Sequence, residues 1–346
     1  MKGPLSMLYI GHEINKNYLA RLAFDGSYRE TYIGRMWLWT LVRIIKKESQ
    51  GCSLMVLEVN KALYRLFLSK KSCFIPLWLY GEVDISSSIK SDSLKSDIRR
   101  IRKHNLEFEL TKEQHEFDNF YNNLYLPYIS SAHENRAFIF TYNEMKKDFG
   151  KCDLLLIKKE NEKIGGILIN YENSIPRLWS IGVKDGSADL LKTGVIGALY
   201  YFAVEYLKQK GYKKVHFGSS RAFLKDGVLQ YKRKWEVKIT GSTDRGFMIK
   251  PLSSALSIKK FFINNPFIYL DQNRYIGAIF MESDQLSSKN SFERYYKDYS
   301  LRGLSKLDIY LFGENMKSME KEIPAEISSK IKICSAENCF GKEKGA

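Results

Sequence analysis

The sequence is short of most features that announce a function. Its five cysteines (Cys52, Cys73, Cys152, Cys334 and Cys339) are scattered through 346 residues and form no C-x-x-C pair. That excludes a zinc ribbon, a dithiol redox site and a secreted disulfide framework, and it fits a reducing cytoplasm. Long apolar runs are missing too. Met36–Ile45 is interrupted by Arg43 and Val195–Leu207 by Glu205, and both fall short of the roughly 20 residues a bilayer span requires. The opening Met1-Lys2-Gly3-Pro4 leads into mixed polar sequence without the apolar stretch of a signal peptide. Histidines 12, 104, 115, 133 and 216 are isolated, and His133-Glu134 lacks the second histidine of a zinc helix. With no G-x-S-x-G, Walker or dinucleotide fingerprint either, metal and nucleotide hydrolysis are poor fits, and no metal is expected.

What the chain has in excess is positive charge. Lys and Arg number 55 against 39 Asp and Glu, a formal net charge of +16. Such a surplus favours anionic partners: nucleic acid, nucleotide-bearing substrates or an acidic membrane surface. Hydrophobic residues at 44% and charged ones at 27% are ordinary globular values. The length suits two packed α/β domains.

Periodicity gives the organisation. Met36–Lys46 reads as a helix packed on a sheet, and Leu54–Val59, Tyr64–Leu68 and Cys73–Leu79 as short strands. The serine-rich stretch Ser86–Ser96 has linker composition. After it, Leu94, Ile98 and Ile101 form a helical stripe edged by Arg99, Arg100, Arg102 and Lys103. Thr111 with Gln114 and Thr141 with Glu144 have capping-box spacing. Phe117, Phe120, Tyr121 and Leu124 mark a further helix face. Strands are expected at Asp153–Lys158, Lys163–Asn170 and Pro176–Val183. A long helix begins near Asp189 and stops at Gly211. A strand over Tyr212–Gly218, a short helix over Val228–Trp235 and a strand over Val237–Thr240 complete the pattern. The expected domains are 1–92, an N-terminal α/β half; 93–250, the better defined unit; and 251–346, a C-terminal α/β extension without an assigned role.

The strand–strand–strand–helix–strand–helix–strand order of residues 153–240 resembles the core of the GNAT acyltransferase superfamily. Three stretches resemble its Fem-like branch in particular: Leu94–Leu106 (LKSDIRRIRKHNL), Tyr206–Ser220 (YLKQKGYKKVHFGSS) and Gly227–Trp235 (GVLQYKRKW). The resemblance implies an α/β fold of two GNAT-like domains in tandem, with mixed central sheets flanked by helices. It also implies transfer of an acyl or aminoacyl group to an amine. A coenzyme-A-dependent member carries Arg/Gln-x-x-Gly-x-Gly/Ala at the start of the central helix, where backbone N–H groups hold the pyrophosphate. Here that stretch is Leu191–Gly197: Gly194 fits, Leu191 replaces the basic residue and Ile196 the second small one. Acetyl-CoA therefore meets a degenerate phosphate loop, and Gly194 and Gly197 read better as close helix–sheet packing. Fem-like peptidyltransferases lack the loop and take their acyl group from aminoacyl-tRNA. The implied partners are an aminoacyl-tRNA or acyl-CoA donor and an amine-bearing acceptor.

On the same basis Ser219, Ser220 and Arg221 are expected to contact substrate, and Lys232 and Arg233 to hold anionic donor groups. His216 is a candidate proton acceptor, or else a buried histidine held by a backbone hydrogen bond. Arg99, Arg100, Arg102 and Lys103 are candidates for gripping an anionic partner or are a solvated face. Trp235 reads as core. Two other functions stay open: a coenzyme-A-dependent N-acetyltransferase acting on a sugar or polysaccharide precursor, and a non-catalytic GNAT-like domain binding RNA or another polyanion.

Overall fold

The computed structural model describes residues 5–24, 26–35, 37–66, 72–86, 92–133, 139–253, 256–286, 289–313 and 319–337. Its strands are β1 (Met7–Ile10), β2 (Leu54–Asn60), β3 (Cys73–Pro76), β4 (Leu79–Asp84), β5 (Glu107–Thr111), β6 (Cys152–Lys159), β7 (Glu162–Asn170), β8 (Arg177–Val183), β9 (Lys214–Ser220), β10 (Lys238–Ser242), β11 (Arg245–Pro251), β12 (Phe267–Asp271), β13 (Arg274–Glu282), β14 (Lys306–Phe312) and β15 (Ile331–Ser335). They form three mixed sheets flanked by helices. The chain divides into two compact units, one of Met1–Leu79, Ser220–Gln230 and Gly241–Ala346, the other of Tyr80–Ser219 and Tyr231–Thr240. The fold is α/β, and no described helix is long and apolar enough to cross a membrane.

The first unit holds two four-stranded sheets, in orders β1-β2-β11-β3 and β12-β13-β14-β15. β1 runs parallel to β2, while β11 is antiparallel to β2 and β3. Leu8, Met55, Leu57, Val59, Phe74 and Met248 bury one face of the first sheet, and Ile45 of the helix Leu41–Glu48 packs against them. Two expectations fail in this unit. Tyr64–Leu68 is not a strand: Lys61–Leu66 is a helical turn, and residues 67 and 68 lie outside the described residues. The Asn60 side-chain oxygen accepts the Ala62 N–H at 2.8 Å and starts that turn. Cys73–Leu79 divides after Pro76, so that β3 joins one sheet and β4 another.

The second unit contains a seven-stranded sheet in the order β10-β4-β9-β8-β7-β6-β5. The strand and helix order expected for residues 153–240 is the order found. Apolar residues succeed one another in β6 because both faces of the sheet are covered. Leu154 and Leu156 face Phe117, Phe120 and Leu124, while Leu155 and Ile157 face Val195, Leu199 and Phe217. A fully buried side chain of this kind contributes about 1.5–3 kcal/mol, so these two layers hold the sheet rigid beneath the strand ends.

Helix boundaries correct the sequence reading in two places. Thr141 and Glu144 form the full reciprocal capping box, but Thr111 does not. Thr111 ends β5 opposite Leu154, and the next helix, Gln114–Asn119, begins after Glu113. The long helix is also interrupted. Ser187 caps a short turn, Ala188–Lys192, and Gly194 at φ +90° resets the chain before Val195–Gln209. A left-handed residue at this point breaks the ladder that a continuous helix would need. The boundary stretch Ser86–Ser96 lies partly outside the described residues, at 87–91.

Gly194 and Gly197 have one purpose in common, close approach of helix Asp92–Lys103 to helix Val195–Gln209. A Cβ on Gly194 would come within 3.0 Å of the Arg100 side chain, and one on Gly197 within 2.9 Å of Asp97. The packing is helix on helix, not helix on sheet as expected. Gly197→Ala should therefore cost about 1–3 kcal/mol by overpacking, read as a lower urea midpoint. Unchanged or increased stability, as alanine's helix propensity alone would give, would mean that the two helices part without penalty.

Candidate functional site

β8 and β9 run parallel, the arrangement that a crossover helix produces, yet among the described residues they pair only at Arg177↔His216. His216 N–H donates to Pro176 O at 2.8 Å. One step later the ladder stops for a local reason. The Gly218 N–H donates to His216 Nδ1 at 3.0 Å, so this donor is satisfied within its own strand. Gly218 sits at φ +69° and approaches the Leu178 carbonyl so closely that a Cβ would lie 3.1 Å from it. Glycine is required there both for the backbone angle and for the space. The strands fork after this point.

Three basic side chains gather at the fork. Lys232 is 3% exposed, and its ammonium donates to the Ser219 carbonyl at 2.7 Å. Arg177 has a buried Nε without a hydrogen-bond partner, and burial lowers its pKa. His216 is pushed down to about 4, first by burial and then by the charges of Arg177 and Lys232. Among the described residues, the groups acting electrostatically on His216 include no carboxylate. The fork thus gathers Arg177, His216 and Lys232 in a partly desolvated place.

The geometry gives His216 a protonation state that differs from the one expected of a proton acceptor. With Nδ1 accepting from Gly218 and a pKa near 4, the ring is neutral at physiological pH and carries its proton on Nε2. It is held by the backbone hydrogen bond that the sequence reading gave as the alternative, and it presents a donor. The other expected residues divide. Ser219 and Lys232 come together with His216, and Ser220 is buried at the end of β9. Arg233 is half-buried in the last turn of Gly227–Arg233.

Arg221 belongs to the first unit. Its guanidinium lies between the rings of Trp78 at 3.9 Å and Tyr18 at 4.6 Å, and Nη1 donates to Asn15 at 2.9 Å. Trp235 is core, 2% exposed against Phe217 and Tyr200. Arg99, Arg100, Arg102 and Lys103 are exposed on Asp92–Lys103. The first turn of Val195–Gln209, where a pyrophosphate would sit, is approached by Asp97 of that helix, which is buried. Sequence reasoning missed Arg177, whose partnership with His216 exists only through the sheet register. Asp97, which read as partly neutralising the basic face of its helix, is instead buried, although an acid between Leu94 and Ile101 on an apolar stripe was a visible signal.

No family model matches the sequence, and no curated protein matches it. Among solved structures, the chain is similar to L-PGS from Bacillus licheniformis, with 12% identity, 65% of this chain and 76% of that one covered and a TM-score of 0.38. FemX gives 13% identity, coverage of 72% and 82% and a TM-score of 0.37. A GCN5-related N-acetyltransferase from Sphaerobacter thermophilus gives 10% identity, coverage of 63% and 69% and a TM-score of 0.33. These overlaps are loose, and each is a similarity of structure alone. In that sense the chain is similar to L-PGS, FemX and a GCN5-related N-acetyltransferase.

Proposed function

We propose that residues 93–250 catalyse transfer of an activated aminoacyl group from aminoacyl-tRNA to an amine, in the cytoplasm. The observation that carries this reading is the fork between β8 and β9, with the buried Lys232 ammonium and the neutral His216 donor beside it. In the reaction the amine nitrogen attacks the acyl carbon, the ester bond to the donor breaks, and the amine's proton leaves with the departing oxygen. The amine is itself the nucleophile, so the protein need only align it with the carbonyl and stabilise the charge that develops. Lys232 and the Nε2–H of His216 suit the second task. Approach of Asp97 to the first turn of Val195–Gln209 favours a donor other than coenzyme A.

The test offers radiolabelled aminoacyl-tRNA and acetyl-CoA separately, each with and without a panel of amines. Amine-dependent loss of label from the tRNA is the expected result. Turnover of acetyl-CoA alone would favour the sugar N-acetyltransferase reading. Equal, steeply salt-dependent binding of charged and uncharged tRNA without turnover would leave a polyanion-binding domain.

A further inference from the structure

We propose that the exposed pair Trp37 and Trp39, with the exposed Arg29, Arg35, Arg43 and Lys47 near it in the chain, docks the first unit onto a membrane surface rich in anionic lipid. Single exposed apolar residues need no explanation, but a cluster does. Tyr28, Tyr32, Ile33, Trp37 and Trp39 are exposed within twelve residues, the two indoles by 69% and 76%. The indoles stack on one another, with centroids 5.0 Å apart and planes within 6°. They are also held in place. Thr40 donates through both its N–H and its hydroxyl to the Trp37 carbonyl, and Ile45 of the following helix packs on the first unit's core.

The charge along the segment is mostly positive. Arg29, Arg35, Arg43 and Lys47 are exposed, while Glu30 is engaged by Lys16 and Glu48, at the end of the helix, by Lys47. Indoles with adjacent Arg and Lys suit the lipid headgroup boundary, where an amphipathic ring sits at the interface and basic residues are drawn to an anionic leaflet. The helix Leu41–Glu48 has only eight residues and is too short to span. It fits an element lying in the interface plane. A second copy of this chain would bring the same cations against each other. A single-stranded nucleic acid would need open indole faces, and here each indole already covers one face of the other; Ile33 offers it nothing.

Sedimentation of the full chain with lipid vesicles tests this. Vesicles of phosphatidylcholine with about 30% phosphatidylglycerol should bind at least about tenfold more protein than phosphatidylcholine alone at moderate salt. Trp37→Ser with Trp39→Ser should lower the partition constant about tenfold or more. Trp37→Phe with Trp39→Phe should retain much of it, and Arg43→Glu with Lys47→Glu should abolish only the preference for anionic lipid. The side chains are exposed, so melting temperatures should match the parent's and separate lost binding from lost folding. The proposal fails if the parent does not sediment, or if the serine variant binds vesicles as the parent does. It fails equally if the serine variant loses affinity for tRNA or loses self-association while vesicle binding is unchanged.

Discussion

Lys232→Met should lower kcat for acyl transfer about 10²–10³-fold, the range for removing one preorganised group that stabilises a transition-state oxyanion, with KM changed far less. Methionine keeps the length and apolar character of the side chain and removes the ammonium alone. At 3% exposure the Lys232 charge acts with little solvent screening. Lys232→Arg retains charge without fitting a compact, enclosed site, and should fall between the two. Because the ammonium also satisfies the Ser219 carbonyl, some stability is lost with it. Urea denaturation of each variant separates that loss from the catalytic one, and the kcat against KM division identifies the oxyanion role. A methionine variant within threefold of the parent's kcat, but less stable, would make Lys232 a structural pin for the end of β9. The rate should also show no inflection from His216 above about pH 5, since that ring is already neutral there.

What the sequence made legible depended on how local each determinant was. β6 and β7 announce themselves because a strand covered on both faces must be apolar along its buried run, and β8 by its alternation. The Thr141 box and the Gly211 stop are complete within a few residues, and both form. Thr111 has the same spacing as Thr141, but Thr111 is already committed to a strand opposite Leu154, so tertiary pairing overrides the local signal. The interruption at Gly194 hid inside an apolar repeat whose stripe continued at helical spacing. His216, Ser219 and Lys232 could be singled out as candidates because they belong to stretches with recognisable order. Arg177 was not, because nothing in Pro176–Val183 says which strand will lie beside it. Its meaning comes from the register with His216, set by a crossover of thirty residues between β8 and β9.

Asp153→Ala should destabilise the second unit by about 3 kcal/mol, the cost of removing one partner from a buried ionic network. Its Oδ2 accepts from the Tyr206 hydroxyl at 2.7 Å, the Tyr171 hydroxyl at 2.8 Å and the Lys210 ammonium at 3.0 Å. Lys112 lies 3.3 Å from Oδ1. One carboxylate thus ties β6 and the residue following β7 to the end of the helix Val195–Gln209. Its removal leaves two phenols and an ammonium without their acceptor. Burial by itself would raise the Asp153 pKa, but the hydrogen bonds from Tyr206, Tyr171 and Lys210 outweigh it and bring the value down to about 2. The depressed value fixes the sign of the pH effect. The carboxylate contributes stability fully above its unfolded pKa near 3.8, and the contribution fades as pH falls through the folded value. A shift of that size corresponds to about 2 kcal/mol. Denaturation midpoints of the parent and Asp153→Asn, followed through the buried Trp235, should therefore differ at pH 6 and converge between pH 4 and pH 2. A difference that survives undiminished at pH 2 would show that the site is held by shape and neutral hydrogen bonds, with the charge of Asp153 incidental to it.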